Sequence, residues 1–191
     1  MKSNDFSFRL FGKALVLIDW ANFFGTTRKR WIINPKKFFG YLKKYREISR
    51  ICFFYGEDNH EKSREFLAKI QKIGFELFTK KVKKINGQRK CDFDVEIARE
   101  ILLNLKNFDE FLLFSGDGDY ALVLRDILDL QKRLFVISAR GSMGREIFEL
   151  RDEWRDKKGG KIILSPAEKI LPHFAQKKVA PKIFSNPRGE I

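Results

Sequence analysis

The chain has 191 residues, of which 43% are hydrophobic and 14% aromatic, enough to bury the core of one compact domain. Its 39 Lys and Arg residues outnumber 25 Asp and Glu, and the resulting formal charge of +14 favours a polyanionic partner, nucleic acid before an anionic membrane surface. No apolar run reaches the roughly 20 residues that cross a bilayer, and no signal-peptide pattern opens the chain, so we expect a cytoplasmic protein that does not bind membranes.

Short β-rich runs alternate with helical patterns along the chain. The predicted strands are residues 14–19, 48–55, 75–80, 110–115, 133–138 and 161–164. The predicted helices start at residue 34 and then cover 60–74, 93–105, 119–131 and 143–154. Most of the strands are continuous apolar runs, as in parallel sheets that are buried on both faces. The alternation predicts an α/β fold, a three-layer α/β/α sandwich with a mostly parallel central sheet.

The two ends of the chain differ in composition from the part between them. We expect an N-terminal arm at residues 1–13, one domain at 14–164 and a basic tail at 165–191. The arm and the tail are predicted to have little regular structure, and the tail to stay disordered until it meets RNA. Cys52 and Cys91 have only His60 and His173 as further soft ligands, so neither a disulfide framework nor a zinc site is expected.

Carboxylates stand where the buried runs end or begin. Asp19 ends the first strand, Asp117 follows the fourth, and Asp94 opens the helix that leads into the fourth strand. In a parallel sheet these positions share one edge, so the three acids should face one rim, and Asp152 is a further candidate to join them. Acids gathered at the end of buried runs are costly to desolvate unless a cation meets them, which predicts a bound hard divalent cation.

Each of these acids also has a simpler interpretation. Asp94 fits a helix N-terminal acid that the helix dipole stabilises. The Ser-Gly-Asp-Gly-Asp-Tyr stretch at 115–120 fits an ordinary strand-to-helix turn, in which Asp caps the helix and Gly provides the bend. The combination of all three acids on one rim is what favours the metal site.

The order of these motifs resembles the NYN domain family (LabA-like), a branch of the PIN-like nucleases. The matching segments are Ile-Asp-Trp-Ala-Asn at 18–22, Lys-Cys-Asp-Phe-Asp-Val-Glu at 90–96, Ser-Gly-Asp-Gly-Asp-Tyr at 115–120 and Glu-Leu-Arg-Asp-Glu-Trp at 149–154. The resemblance implies a PIN-like fold and metal-dependent cleavage of RNA with Mg²⁺ or Mn²⁺. It implies metal ligation by Asp19, Asp94 and Asp117, with Asp119, Asn22 and Ser115 completing the catalytic site.

Two basic clusters lie near the predicted rim. One is the segment 80–90, whose candidates for RNA binding are Lys81, Lys83, Lys84, Arg89 and Lys90. The other follows Asn22 and consists of Arg28, Lys29, Arg30 and Trp31, where the indole could stack on an unpaired base. Either cluster alone also fits an ordinary solvated face.

The sequence therefore predicts a metal-dependent endoribonuclease that acts on single-stranded or loop regions of RNA. The alternative is an RNA-binding module of the same fold that is catalytically weak or inactive. Toprim-like and haloacid-dehalogenase-like phosphotransfer domains require other acids after the first strand than the lone Asp19 followed by Asn22, and a receiver domain requires an Asp where the third strand is followed by lysines. The oligomeric state is left open, a homodimer included.

Overall fold

A computed structural model describes residues 8–85, 88–157 and 159–178. The strands are β1 (Ala14–Asp19), β2 (Trp31–Ile33), β3 (Ile48–Glu57), β4 (Glu76–Lys81), β5 (Lys83–Ile85), β6 (Gln88–Lys90), β7 (Glu110–Phe114), β8 (Arg133–Ser138), β9 (Lys161–Pro166) and β10 (Ala175–Lys177). The α-helices are α1 (Trp20–Thr27), α2 (Pro35–Leu42), α3 (Glu61–Ile73), α4 (Asp94–Asn104), α5 (Ala121–Asp129) and α6 (Arg145–Trp154). Short 3₁₀ turns cover Gly118–Tyr120, Ala167–Lys169 and Leu171–His173.

Six of the strands form one parallel sheet in the order β4-β3-β1-β7-β8-β9. From β1 the chain adds β3 and then β4 on one side of the sheet. It then returns to the other side of β1 and adds β7, β8 and β9. The carboxyl ends of β1 and β7 therefore lie side by side while their chains leave in opposite directions. Open α/β sheets bind their ligands at such a reversal point.

The helices cover both faces of this sheet. Val16 and Ile18 of β1 point into a core cluster shared with α1, α2 and α3, whereas Leu15 and Leu17 point into a second cluster shared with α4, α5 and α6. Alternate strand residues face opposite sides, so a strand that is buried on both sides has to be apolar throughout. The predicted three-layer α/β/α sandwich with a parallel sheet is confirmed. No helix in the described ranges is both long and apolar enough to span a bilayer.

The six predicted main strands are all present, with ends that differ by no more than two residues, and the five predicted helices are present as well. The helix α1 was not predicted. It begins directly after Asp19 without an intervening turn, and Asp19 itself is its N-cap. An acid that ends a strand can thus also start a helix, which the sequence interpretation had not considered.

The basic segment 80–90 is expected from its sequence to be a loop, but its backbone forms a small antiparallel hairpin. Lys83 pairs with Lys90 and Ile85 with Gln88, while residues 86–87 lie outside the described ranges. Its Asn-Gly dipeptide is a strong hairpin signal that the prediction left unused.

The expectation of little regular structure is wrong for the described part of the tail, which holds the end of β9, two 3₁₀ turns and β10. Residues 8–13 contain no helix or strand, as expected, but they are packed on the domain. Phe8 and Leu10 are buried against the domain. Phe174 is buried and stacks on Phe38 with a 4.4 Å centroid separation, and β10 pairs antiparallel with β2. Residues 1–7 and 179–191, with Lys182 and Arg188, lie outside the described ranges, and the proposed division at 13 and 164 stays a prediction.

Candidate active site

Asp19 occupies the end of β1 at the reversal point and is only 6% exposed. Its Oδ1 accepts a hydrogen bond from the backbone N–H of Asn22 at 3.1 Å, the N-cap bond of α1. Its Oδ2 accepts a hydrogen bond from the Tyr120 hydroxyl at 3.2 Å and lies 3.5 Å from Ser115 Oγ. The buried carboxylate is therefore held by neutral donors.

Asp94 and Asp117 bring two more negative charges to this point. Burial raises the pKa of Asp19 above its usual value, and the charges of Asp94 and Asp117 raise it further, against the lowering effect of the hydrogen bonds. Burial likewise raises the pKa of Asp94, with further contributions from Asp117 and Asp119. Acids that raise the pKa of one another share one electrostatic field. The structure thus brings together the three predicted metal ligands, with Asp119 on the exposed side of the same loop.

Tyr120 lies close to two of these acids and was not among the predicted site residues. Its ring is 1% exposed, and its hydroxyl donates a hydrogen bond to Asp19 Oδ2, with the charge of the Asp94 carboxylate also close enough to act on it. Burial raises the pKa of Tyr120, and the two neighbouring carboxylates raise it further, so the hydroxyl stays protonated and remains a donor. The sequence shows a tyrosine after the acidic loop but not the direction of its hydroxyl, which only the packing of the loop against α4 and β1 determines.

Asn22 and Ser115 organise the acidic loop. The side-chain Oδ1 of Asn22 accepts a hydrogen bond from the backbone N–H of Gly116 at 3.0 Å, which ties α1 to the loop. The backbone N–H of Asp117 donates to Ser115 Oγ at 3.3 Å, and that of Asp119 donates to Asp117 Oδ1 at 3.1 Å. These polar residues therefore do stabilise a turn, and they are the same residues that were predicted to be functional.

Close packing explains the glycines of this loop. A Cβ atom at Gly116 would lie 2.3 Å from Ser138 Oγ, and one at Gly118 would lie 2.1 Å from Glu146 Oε2. The backbone oxygen of Ser142 lies still closer to the Gly116 position, at 2.2 Å, so the loop can approach β8 only without a side chain there, whereas the Glu146 carboxylate ends a flexible side chain that can move. Glu146, in the first turn of α6, thereby brings a further carboxylate to the acidic loop, and it was not predicted.

Asp152 is a candidate for the same rim on its sequence, and the structure corrects this. Helix α6 starts next to the acidic loop and runs away from it, so its later residues lie toward the other edge of the sheet. Asp152 Oδ1 is paired with Arg151 at 2.8 Å and Arg155 at 2.5 Å, and hydrogen bonding from Arg151 lowers the pKa of this exposed acid. The acid that α6 contributes to the rim is Glu146.

The donor set fits a hard divalent cation. In the part of the chain that the structure describes, no three His, Cys, Asp or Glu side chains are gathered tightly enough to form a complete metal-binding group. No described lysine or arginine pairs with Asp19, Asp94 or Asp117 either, so within the described residues no cation offsets their mutual repulsion. Mg²⁺ needs only one or two carboxylates because it keeps several of its waters. Oxygen donors with an excess of negative charge meet that requirement.

The predicted RNA-binding residues near the hairpin fall into two groups. Lys81 and Lys83 are exposed, whereas the side chains of Lys84, Arg89 and Lys90 lie outside the described part of the structure. Their neighbour Lys80 is held by acids of this chain, with its Nζ 2.8 Å from Glu96. The described candidates for contact with RNA here are therefore Lys81 and Lys83.

The second basic cluster lies at the end of α1. Arg28, Lys29 and Arg30 are exposed, as expected for a surface that meets a polyanion. Trp31 is half-buried, packs against the core and lies in β2, opposite Lys177 of β10. Part of its ring is therefore unavailable for stacking on a base.

Comparisons with known proteins show which family the chain belongs to. The family model described as NYN domain matches residues 13–153. The chain is 26% identical over 176 residues to the low amplitude and bright protein LabA of Synechococcus elongatus, covering 87% of this chain and 95% of that protein. It is also similar in fold to the crystal structure of a Vibrio parahaemolyticus protein of unknown function, with a TM-score of 0.67, 21% identity, and coverage of 90% of this chain and 100% of the other. With its acids on one rim and a family match over most of its length, the chain belongs to the NYN domain family.

Proposed function

We propose that this protein is a metal-dependent endoribonuclease that hydrolyses phosphodiester bonds in single-stranded or loop regions of RNA. NYN domain proteins are typically nucleases, and the net charge of +14 favours a polyanionic substrate. The observation that carries the proposal is the group of carboxylates Asp19, Asp94 and Asp117 at the reversal point of the sheet, which have no cationic partner among the described residues. The cytoplasmic location stays a prediction.

The residues of the site would divide the work as follows. Asp19, Asp94 and Asp117 would hold Mg²⁺ or Mn²⁺, which when bound lowers the pKa of a coordinated water and neutralises charge on the phosphate. Hydrogen bonds from the hydroxyl of Tyr120 and the backbone N–H of Asn22 keep the Asp19 carboxylate oriented. Because these bonds exist before substrate arrives, this carboxylate needs little rearrangement for the reaction.

Two polar side chains retain donors for the substrate. The Oδ1 of Asn22 is used by the backbone of Gly116, which leaves its amide N–H₂ group to donate to a phosphate oxygen. Ser115 Oγ accepts from the backbone of Asp117 and can still donate its proton toward Asp19 or the phosphate. Asp119, exposed at the mouth of the site, supplies a further acid where substrate enters.

The second candidate function is an RNA-binding module without turnover. It is favoured by the environment of Asp19, whose two oxygens already accept hydrogen bonds from the protein, and by the open arrangement of the acids in the described residues. The two functions differ in one measurable step, since both bind RNA and only one cleaves it.

The deciding experiment incubates purified protein with labelled RNA and DNA, each single-stranded and duplex, in Mn²⁺, Mg²⁺ or EDTA. We expect internal cleavage of single-stranded RNA with either metal and none in EDTA. The matched control is Asp117→Asn, which keeps the side-chain shape and removes one charge. Binding of RNA without cleavage in either metal would replace the nuclease with the binding module, and cleavage that persists in EDTA would contradict the metal site.

A further inference from the structure

A groove of about 360 Å³ opens beside the acids, between α1 and the ends of β3 and β4. Its lining includes three aromatic rings, two glycines and one cation, namely Trp20, Phe24, Tyr55, Gly25, Gly56 and Arg28. Its size lies within the range of about 300–1,000 Å³ that is typical of small-molecule sites. Nothing in the proposed catalytic steps uses this groove.

The groove is adjacent to the proposed metal site. Trp20 directly follows Asp19 in the chain, and Tyr55 directly follows Phe54, which is paired with Asp19 in the sheet. The groove is also lined by Cys91, whose pKa is raised by burial and also by the charge of Asp19. A group in the groove would therefore lie next to whatever the acids hold.

The walls of the groove are aromatic and firmly packed. The Phe24 ring stacks on Trp20 at 5.1 Å between centroids, with only 10° between the ring planes, and Trp20 packs in turn on Phe53 at 5.0 Å. Phe24 and Tyr55 are half-buried, so each keeps part of its ring surface toward the groove. Flat, rigid apolar walls suit a flat aromatic ligand.

The remaining lining suits a charged, backbone-linked group. Gly25 contributes no side chain, and a Cβ there would meet no atom within 4 Å, which leaves the groove open along α1, whereas Gly56 is packed against Cys91 and Val82. Arg28 is exposed at its margin and supplies a cation for a phosphate. An aromatic slot with a cation at one side and a metal-fitting acid cluster at the other matches one nucleotide of a nucleic acid chain.

We propose that this groove binds one unpaired nucleobase of the RNA, adjacent to the phosphate that is cleaved. This proposal rests on the proposed function, because it assumes that the acids hold a phosphate of the same strand. A paired base has its faces covered by its neighbours in the helix and cannot enter, so the groove selects single-stranded RNA. It also assigns the stacking role to Phe24 and Tyr55 in place of Trp31.

The chain offers a matched pair of variants for the test. A Cβ at Gly25 or at Gly40 would meet no atom within 4 Å, and both glycines lie inside helices, α1 and α2. Leucine at either position therefore raises helix propensity without a clash. Gly25→Leu places a side chain into the groove, whereas Gly40→Leu adds the same side chain away from it. Thermal unfolding of both variants verifies that they fold.

Binding is measured in EDTA by fluorescence anisotropy, with labelled oligouridylate and an abasic ribose-phosphate oligomer of the same length. We expect the wild type and Gly40→Leu to bind oligouridylate about tenfold more tightly than the abasic oligomer, as stacking of one base would give. Gly25→Leu should bind the two oligomers about equally. Should Gly25→Leu fail to fold, Tyr55→Leu removes one aromatic wall and should lower the same ratio several-fold.

The possible failures are separable. If Gly25→Leu keeps the wild-type preference for oligouridylate, the groove does not bind a base, whether or not the protein cleaves RNA. If the preference is lost in Gly25→Leu and kept in Gly40→Leu, the groove is established even when the wild type shows no cleavage with Mn²⁺. Absence of cleavage together with an intact base preference would refute the nuclease function and leave the base site standing.

Discussion

The amino ends of the parallel strands, here the amino edge, and their carboxyl ends, the carboxyl edge, hold buried carboxylates in opposite ways. At the amino edge, Glu110 is 1% exposed, forms an ion pair with Arg133 and accepts a hydrogen bond from the backbone N–H of Phe11 at 3.1 Å. At the carboxyl edge, Asp19 is almost as deeply buried and has only neutral donors in the described structure, with Asp94 and Asp117 adding to its negative surroundings.

A second amino-edge acid repeats the first pattern. Glu100 is 6% exposed and pairs with Arg50 at 2.8 Å, and Arg50 also pairs with Glu76 at 2.5 Å. This fold thus has the means to neutralise a buried acid, and among the described residues it does so at one edge only. A buried acid that is paired within the protein depends on its cation, whereas acids without one disfavour the folded state until a ligand arrives, which is a mark of function.

The largest expected effect is on cleavage. Asp94→Asn and Asp117→Asn should each lower the rate of RNA cleavage about 100- to 1,000-fold, the loss typical of removing one electrostatic stabiliser of a transition state. RNA affinity should stay nearly unchanged because the phosphate-binding cations are intact. The matched amino-edge control, Glu76→Gln, should cleave like the wild type. The activity is measured on labelled RNA with Mn²⁺. If all three variants cleaved equally fast, the acids at the carboxyl edge would have no special role in cleavage.

The next largest effect is on folding stability and concerns the ion pair of Arg133 with Glu110 at the amino edge. Arg133→Met keeps much of the apolar stem but leaves Glu110 buried without its cation. We expect the free energy of unfolding in urea to fall by about 3 kcal/mol, the lower part of the range for broken buried ion pairs, since Arg133 is partly exposed. An unchanged denaturation midpoint would mean that Glu110 does not need compensation. Cleavage per folded molecule should remain at the wild-type level.

A smaller stabilising effect should come from metal at the carboxyl edge. Mn²⁺ binds the native state and relieves repulsion among the acids, so saturating metal should stabilise the protein by about 1–3 kcal/mol and raise Tm by several degrees. Asp94→Asn should lose this gain while being no less stable than the wild type in EDTA, because one repelling charge is gone. A Tm that does not respond to millimolar Mn²⁺ in the folded wild type would contradict the site.

The smallest effect concerns the exposed lysines near the acids. The double variant Lys81→Ala and Lys83→Ala should weaken binding to every single-stranded RNA alike and flatten the dependence of log K on log salt by about 0.7 for each phosphate that is no longer neutralised. The control replaces Lys43 and Lys44, which are exposed near the start of β3 at the amino edge. If both double variants show the wild-type slope, the hairpin lysines are a solvated face and the RNA follows another path.

The sequence predicted the sheet and the position of the acids because both depend on local patterns. Continuous apolar runs identify strands buried on both faces, and the topology of a parallel sheet then brings Asp19, Asp94 and Asp117 to one edge. The resemblance to the NYN domain family pointed to the same acids. Their roles as metal ligands remain predictions for the variants above to test.

Other features depend on contacts between distant segments, which no local pattern contains. The directions of the Tyr120 hydroxyl and the Glu146 carboxylate follow from packing across the loop, and Asp152 was wrongly placed because the direction of α6 had not been considered. The described part of the tail buries Ala167, Ile170, Leu171 and Phe174 in the core, and its order depends on long-range contacts such as Phe174 on Phe38.

The tight fit of the acidic loop has a consequence for how substitutions would be read. Gly116 touches no substrate in the proposed reaction, yet a side chain there would meet the backbone oxygen of Ser142 as well as Ser138 Oγ, and so must push the loop away and move Asp117. A saturation scan of activity would score this glycine as intolerant as the carboxylates themselves. Mutational tolerance alone therefore cannot distinguish the residues that shape this loop from the residues of the loop that take part in the reaction.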